Sequence, residues 1–344
     1  MRAWVWRSQG HPHTVLKLDS NYPTPVPTTA FPIVVKIHAV GLNPIGWKQI
    51  KAFPSVLVKK PAVPESDFSG VVAAVLPGLQ TDFKVGNEVF GMMPQNEIFK
   101  SGRGVLAEYA LAPLVSLAHK PPSLSFPAAA CVTLAAETVY QGLVTKGKIK
   151  SGDRVLINGA SGGVGIFAVQ LAKHFGATVV ATCSARSRQL VQSLGADEAS
   201  LIDYQAVDLS AHLAANYSKE SAFHLILDTI GTHSLFYASA SFMKANGVYV
   251  DNGADFNTLS ELLFLIFHFA RKSFWPFPRV AYKRVEIDAL KQGPDLVALA
   301  ELIRQDKIRV IIDSIHDFDR AHDAYSAIMP LRAKGKVVIQ LADN

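Results

Sequence analysis

Apolar and polar positions along this chain follow two different rhythms. Up to about Pro122 the apolar stretches are short and bounded by turn residues. Ile33-Val34-Val35-Lys36-Ile37-His38-Ala39-Val40 follows Pro32, Gly70-Val71-Val72-Ala73-Ala74-Val75-Leu76 runs into Pro77-Gly78, and Asp82 to Gly91 reads as a turn leading into a strand. Runs of this kind, punctuated by proline and glycine, predict short strands joined by turns, hence an antiparallel barrel or sandwich.

From Arg154 to Gly253 the rhythm changes. The nearly continuous apolar runs Val155–Asn158, Thr178–Thr182, Ala199–Ile202, His224–Asp228 and Val248–Asn252 alternate with helical stretches near Val164–Phe175, Arg188–Leu194, Leu209–Tyr217 and Ser234–Met243. Strands with no polar face need cover on both sides, which predicts a parallel sheet between helices. Gly176 and Gly195 stand just past two of the helices, where a left-handed residue ends them. From about Glu286 the pattern predicts a helix at Asp295–Gln305 and a last strand at Gly335–Leu341. This tail cannot complete the parallel pattern alone and is assigned back to the first domain. The reading is an α/β chain with a doubly wound parallel sheet in 126–264 and a second, β-rich domain built from 1–125 and 265–344.

Composition fits that picture. In 344 residues, 49% apolar and 18% charged, two cored domains are expected and disorder is not. The net charge is +6, yet lysines and arginines are scattered, with no basic run longer than Lys59–Lys60. Such scatter speaks against nucleic acid and for a mild attraction to anionic ligands. Two cysteines, Cys131 and Cys183, make no disulfide framework and suit a reducing compartment. Met1 to Trp6 leads straight to His11-Pro12-His13 without the apolar stretch of a signal peptide. The longest apolar run, Leu262 to Ala270, is too short to span a bilayer. A cytoplasmic protein is the expectation.

The sharpest chemical signal is Arg154-Val155-Leu156-Ile157-Asn158 followed by Gly159-Ala160-Ser161-Gly162-Gly163-Val164-Gly165 and a helix. A strand, a glycine turn and a helix start together form a pyrophosphate site. Gly162 admits the phosphates to the backbone, Gly165 lets helix and strand pack closely, and free N–H groups face the anion. Ser161, Gly162, Gly163 and Val164 are the predicted contacts. An NAD site usually ends its second strand in an acid that holds the ribose 2′-hydroxyl. Here that end reads Thr182-Cys183-Ser184-Ala185-Arg186-Ser187-Arg188, with no acid. Ser184, Arg186 and Arg188 suit a 2′-phosphate, since arginine offers a planar fork to phosphate oxygens. NADPH is the expected cofactor. The alternative for the arginines is a solvated helix start.

At this point the chain resembles the medium-chain dehydrogenase/reductase superfamily, in its zinc-free, quinone oxidoreductase-like branch. The resemblance rests on Gly41-Leu42-Asn43-Pro44-Ile45-Gly46-Trp47-Lys48, Asp67-Phe68-Ser69-Gly70-Val71-Val72, Thr138-Val139-Tyr140-Gln141-Gly142-Leu143, Gly159 to Gly165, Leu194-Gly195-Ala196-Asp197, Asp228-Thr229-Ile230-Gly231 and Gly335 to Ile339. It implies a GroES-like β-barrel catalytic domain, a Rossmann domain and an active site in the cleft between them. It also places Tyr204 against the adenosine phosphate end of the cofactor and the Thr138 hydroxyl near the nicotinamide. Ile230 would form a cofactor wall, with Asn252 and Gly253 passing close by.

Zinc-dependent relatives hold a catalytic metal with cysteine and histidine. The corresponding segments here read Gly41-Leu42-Asn43-Pro44 and Glu65-Ser66-Asp67-Phe68, and 95–108 lacks the cysteines of a structural zinc lobe. No metal is expected, because zinc needs three or four converging N, S or O ligands. What a nicotinamide can then reduce is an already activated acceptor, either an α,β-unsaturated carbonyl or a quinone. Both demand positioning and a donor for the developing oxyanion. Asn43, Lys48 and Thr138 are the catalytic candidates. Their alternatives are a turn cap before Pro44, a solvated lysine and an ordinary helical threonine. The resemblance leads one to expect Asp where Gly46 stands. Fungal trans-acting enoyl reductases share the Asn-Pro-x-x-Trp-Lys string, which keeps a polyketide synthase partner open, as it does a homodimer and a non-catalytic NADPH-binding protein. Phe264, Phe267, Phe269, Phe274, Trp275 and Phe277 form an aromatic stretch that fits a substrate pocket, a dimer contact or a membrane-surface patch alike.

Overall fold

The computed structural model describes residues 1–53, 58–217, 219–253, 258–273, 280–285 and 292–342. Phe274, Trp275 and Phe277 of the aromatic stretch lie outside the described residues, as does Ala254 beside Gly253. The chain divides into two compact units, Met1–Glu137 with Asn257–Leu259 and Asp288–Asn344, and Thr138–Phe256 with Ser260–Ile287.

The first unit is built on a seven-stranded sheet. Ile33–Leu42 lies at its centre, flanked by Asp67–Val75 and Lys336–Gln340, both antiparallel to it. Tyr109–Ala112 pairs with the other end of the same strand. Glu88–Met92 and Leu117–His119 extend the sheet on one side, and Ile312–Asp317 extends it on the other, parallel to Lys336–Gln340. Register shifts at Val34/Val35 and Ile37/Ala39 mark bulges, which bend a strand and sharpen its twist. The core gathers Trp4, Trp6, Val35, Ile37, Trp47, Phe68 and Tyr325 from both ends of the sequence. The C-terminal strand pairs within this sheet, with Val338 opposite Gly41.

The second unit carries six parallel strands in the order Leu201–Asp203, Thr178–Cys183, Arg154–Asn158, Phe223–Asp228, Met243–Asp251, Ala281–Arg284. The first five are the runs expected from the sequence. Their apolar residues are buried because helices such as Gly165–His174 cover the sheet. The sixth was not expected. It pairs Tyr249 with Tyr282 and draws Ser260–Ile287 into this unit, while Phe126–Glu137 stays with the first. Both differ from the boundaries read off the sequence. Ala281–Arg284 is four residues of alternating exposure, with no apolar run to announce it.

Candidate active site

In the parallel unit, functional groups collect at the carboxyl ends of the strands, where open α/β sheets bind ligands. Gly159 turns the chain with φ +85°. Its N–H donates to Thr182 Oγ1 at 2.9 Å, and Thr182 Oγ1 donates to Asn158 Oδ1 at 2.7 Å. Gly165 and Gly162 differ in what surrounds them. A side chain on Gly165 would strike the backbone of Gly159 and Ala160, so packing alone demands glycine there. At Gly162 a Cβ would meet only Gly159 O, at 3.6 Å. The protein itself leaves room in front of Gly162, as a phosphate-binding turn requires. Ser161, Gly162, Gly163 and Val164 are half-buried. The helix Gly165–His174 starts without a side-chain cap, and its Ile166 and Phe167 N–H groups donate to Gly162 O at 3.0 Å and Val164 O at 3.1 Å.

The turn expected to wall the cofactor is organised by a carboxylate that sequence reasoning did not single out. Asp228 is fully buried. Its Oδ1 accepts from Asn158 Nδ2 at 2.8 Å and from the N–H groups of Ile230 and Gly231 at 3.0 Å, while Oδ2 accepts from Thr232 N and Tyr249 OH. Burial and the neighbouring Asp251 push its pKa up, and these hydrogen bonds oppose the shift. They fix the turn carrying Ile230 and bring Gly231 against Gly253, where any side chain would collide. Ile230 is left exposed, Asn252 half-buried and Gly253 buried.

The residues expected at the adenosine end part company. Ser184 is buried, with its Oγ 3.5 Å from Ser187 Oγ. Arg186 is exposed and Tyr204 half exposed. Arg188 turns away: its guanidinium donates to Leu201 O at 3.4 Å and Glu198 O at 3.3 Å, tying down the next strand. The second strand itself ends without an acid, as its sequence reads, but one reaches it from the neighbouring strand. Asp203 pairs with Cys183 across the sheet, and its Oδ2 accepts from Ala185 N at 3.2 Å. The acid comes from the adjacent strand, which reading along the second strand cannot reveal. Thr138, also in this unit, is buried.

In the first unit, Asn43 is buried and makes no helix cap, although it directly precedes the helix Pro44–Ala52. Its Nδ2 donates to Asp67 Oδ2 at 2.9 Å, and its Oδ1 accepts from Lys336 Nζ at 2.5 Å. Lys336 Nζ lies 3.7 Å from Asp67, whose Oδ1 accepts from Leu134 N at 3.1 Å. The amide thus holds a buried ion pair rather than a turn. Lys48 is also buried, not solvated, with its ammonium 5.5 Å from the centre of the Trp47 ring. Glu65 stands beside this group and accepts from Tyr325 OH at 2.8 Å and from Asn43 N at 3.4 Å. Burial pushes its carboxyl up to about 7. On the helix Thr133–Tyr140, Thr133 Oγ1 and both oxygens of Glu137 are buried with no hydrogen-bond partner. Glu137 is pushed up to about 9, by burial first and then by Asp67 and Asp295.

Lys336, Glu65, Tyr325 and Glu137 were not picked out from the sequence. Two carried a signal: a lysine opening the apolar run Val337-Val338-Ile339, and a glutamate inside the quoted Glu65-Ser66-Asp67 segment. A zinc ion does not suit these residues. An ammonium already lies between Asn43 and Asp67, and it would repel a cation at that point. Cys131 is buried, and burial pushes its thiol up to about 12. Among the described residues no three His, Cys, Asp or Glu side chains converge as ligands, and no helix is long and apolar enough to cross a membrane.

Comparison with known proteins gives a consistent result. Residues 32–123 match the model of the alcohol dehydrogenase GroES-like domain, and residues 163–277 match that of the zinc-binding dehydrogenases. The chain is 32% identical to a trans-enoyl reductase of Aspergillus terreus, over 100% of this chain and 97% of that protein. It is 30% identical to a chloroplast envelope quinone oxidoreductase homolog of Arabidopsis thaliana, covering 92% of each. The solved quinone oxidoreductase of Coxiella burnetii superimposes with a TM-score of 0.80 at 26% identity, covering 99% of both chains.

Proposed function

The chain belongs to the medium-chain dehydrogenase/reductase family, and on that premise we propose that it is a zinc-free, NADPH-dependent reductase that delivers hydride to the activated C=C bond of an α,β-unsaturated carbonyl or to a quinone. The observation that carries this reading is Lys336, whose ammonium sits where a Lewis acid would need anionic ligands. With no metal to stabilise an alkoxide, the suitable substrate is one whose conjugation already accepts hydride.

When bound, NADPH supplies that hydride. The chain's own residues hold and orient the reactants. Ser161, Gly162, Gly163, Val164 and the start of Gly165–His174 receive the pyrophosphate. Ser184 and Arg186 take the 2′-phosphate, with Tyr204 against the same end and Arg188 bracing the strand behind it. Ile230, Asn252 and Gly253 wall the nicotinamide end, and the Thr138 hydroxyl orients the ring. Lys48 donates to the oxygen on which charge develops, and Asn43 keeps its helix in place through Asp67 and Lys336.

The test is NADPH consumption with a matched panel of enones and quinones, NADH run alongside and products identified. NADPH-selective formation of saturated ketones is the expected outcome. Arg186→Ala should weaken NADPH about tenfold or more and leave NADH nearly unchanged, as loss of one charge-assisted phosphate contact requires. Equal effects on both cofactors would remove Arg186 from the 2′-phosphate site, and stoichiometric zinc retained after dialysis would overturn the metal-free chemistry. The likeness to the Aspergillus terreus enzyme supports a second reading, a trans-acting enoyl reductase serving a polyketide synthase. NADPH binding without turnover of free enones, restored by a carrier-bound enoyl substrate, would select it.

A further inference from the structure

The backbone at Glu65 is unusual for its residue type. With φ +67° it lies in the left-handed region, which non-glycine residues rarely enter. Its side chain is buried, and its carboxylate lies directly over Gly46 in the helix Pro44–Ala52. A Cβ on Gly46 would collide with both Glu65 oxygens and the carbon between them. One position thus supplies a carboxylate from a backbone conformation that favours glycine, and the position facing it is the glycine that makes room. Both departures have the same cause, a carboxylate delivered from the turn before Asp67–Val75 instead of from the helix. Position 46, where the resemblance leads one to expect an aspartate, has no room for a side chain beside this carboxylate.

We infer that Glu65 is a positioning residue for the reduction, its carboxylate occupying the space Gly46 leaves and fixing the start of the helix that carries Trp47 and Lys48. The inference rests on the reading of Lys48 under Proposed function. Four groups face this carboxylate. Tyr325 OH and Asn43 N–H donate to it, Asp67 repels its charge and Lys336 attracts it. Burial dominates their sum and raises the carboxyl to about 7, so its charge changes near neutrality. When the proton leaves, the carboxylate accepts more strongly from Asn43 and Tyr325 and gives the Asp67–Lys336 pair a net negative neighbour. A helix start tied to that charge links catalysis to pH without Glu65 touching substrate.

The experiment compares Glu65→Gln, Glu65→Gly and the exchange Gly46→Asp with Glu65→Gly. Each is measured as kcat and KM against pH, and as thermal midpoint against pH. In Glu65→Gln we expect kcat to fall about tenfold, with KM changed less than about threefold, because the helix start loses a charged acceptor and shifts. The inflection of wild-type kcat near pH 7 should vanish in both single variants. The exchange, which returns a carboxylate to the same space from the opposite side, should recover kcat to within about threefold of wild type. Thermal stability supplies a readout independent of turnover. A carboxyl raised to about 7 makes the wild type lose stability as pH rises from about 4.5 to 7. That slope should become shallower in both single variants, with Glu137 supplying what remains, and steepen again in the exchange. A wild-type slope left intact in Glu65→Gln overturns the inference, and so does an exchange no better than Glu65→Gly. If the wild type turns over no acceptor, Proposed function fails, and the melting curves still decide whether the carboxylate belongs to either position.

Discussion

Glu137 is an acid that gains nothing from its surroundings. It is fully buried, neither oxygen has a partner, and Asp67 and Asp295 add repulsion. A buried carboxyl in such a place keeps its proton, because the neutral form avoids most of the desolvation cost. Its folded-state value of about 9 lies above the ordinary 4.5, so its contribution to stability is complete below about 4.5 and is lost as pH rises towards 9. Glu65 is half ionised at about pH 7 and completes its titration above it, so the part of the interval nearest 9 belongs to Glu137. Across it, Glu137→Gln should remove a stability loss of up to about 1.4 kcal/mol per pH unit, read from urea midpoints in that range. An unchanged slope would mean that a buried water or a rearranged neighbour satisfies the acid. The same scale explains why Lys336 and Tyr325 were not legible in the sequence. They lie 293 and 260 positions from their partners Asn43 and Glu65, and only sheet pairing and core packing join them.

Among the elements, the glycine turn was the most legible, because strand, turn and helix are consecutive and their rules are local. The sequence assigned different duties to Gly162 and Gly165, and the structure separates them sterically. Gly165→Ala would force a methyl into the Gly159–Ala160 backbone and should destabilise by about 3 kcal/mol. Gly162→Ala meets nothing closer than 3.6 Å and should leave the melting temperature nearly unchanged, while weakening dinucleotide binding. Paired melting and binding titrations check both, and equal destabilisation would defeat the distinction. The strand Ala281–Arg284 shows the opposite case. Four residues, half of them solvent-facing, carry no periodic signal. Their pairing is decided by Tyr282, whose hydroxyl reaches Asp251 at 3.0 Å. The helix Leu259–Ser273 was visible only as an apolar run. Its exposed Leu263, Phe264, Ile266 and Phe267 contrast with a fully buried Lys272 on the same helix.

At the scale of the whole molecule, long-range polar contacts secure what hydrophobic burial assembles. Lys272 binds Asp251 at 2.7 Å with both side chains at 0% exposure, tying a helix to the end of the fifth parallel strand. Removing one member of a buried pair strands the other's charge. Lys272→Met should therefore cost about 3–5 kcal/mol, and Asp251→Asn in the same chain should recover most of it. A double-mutant cycle by chemical denaturation tests this, and additive losses would show that the pair is not coupled.

Repeat patterns within a few residues were enough to determine the two rhythms, the five central strands, the glycine turn and the family, since each follows from local sterics and from which faces must be buried. Tertiary structure alone decided the sixth strand, the acid that Asp203 brings beside Ala185, the turn of Arg188 towards Glu198, and the joining of Asn43, Glu65, Asp67, Tyr325 and Lys336. The physical reason is the same in each case. Such contacts form between segments far apart in the chain, and their partners are chosen by strand register and by the need of every buried polar group for a neighbour.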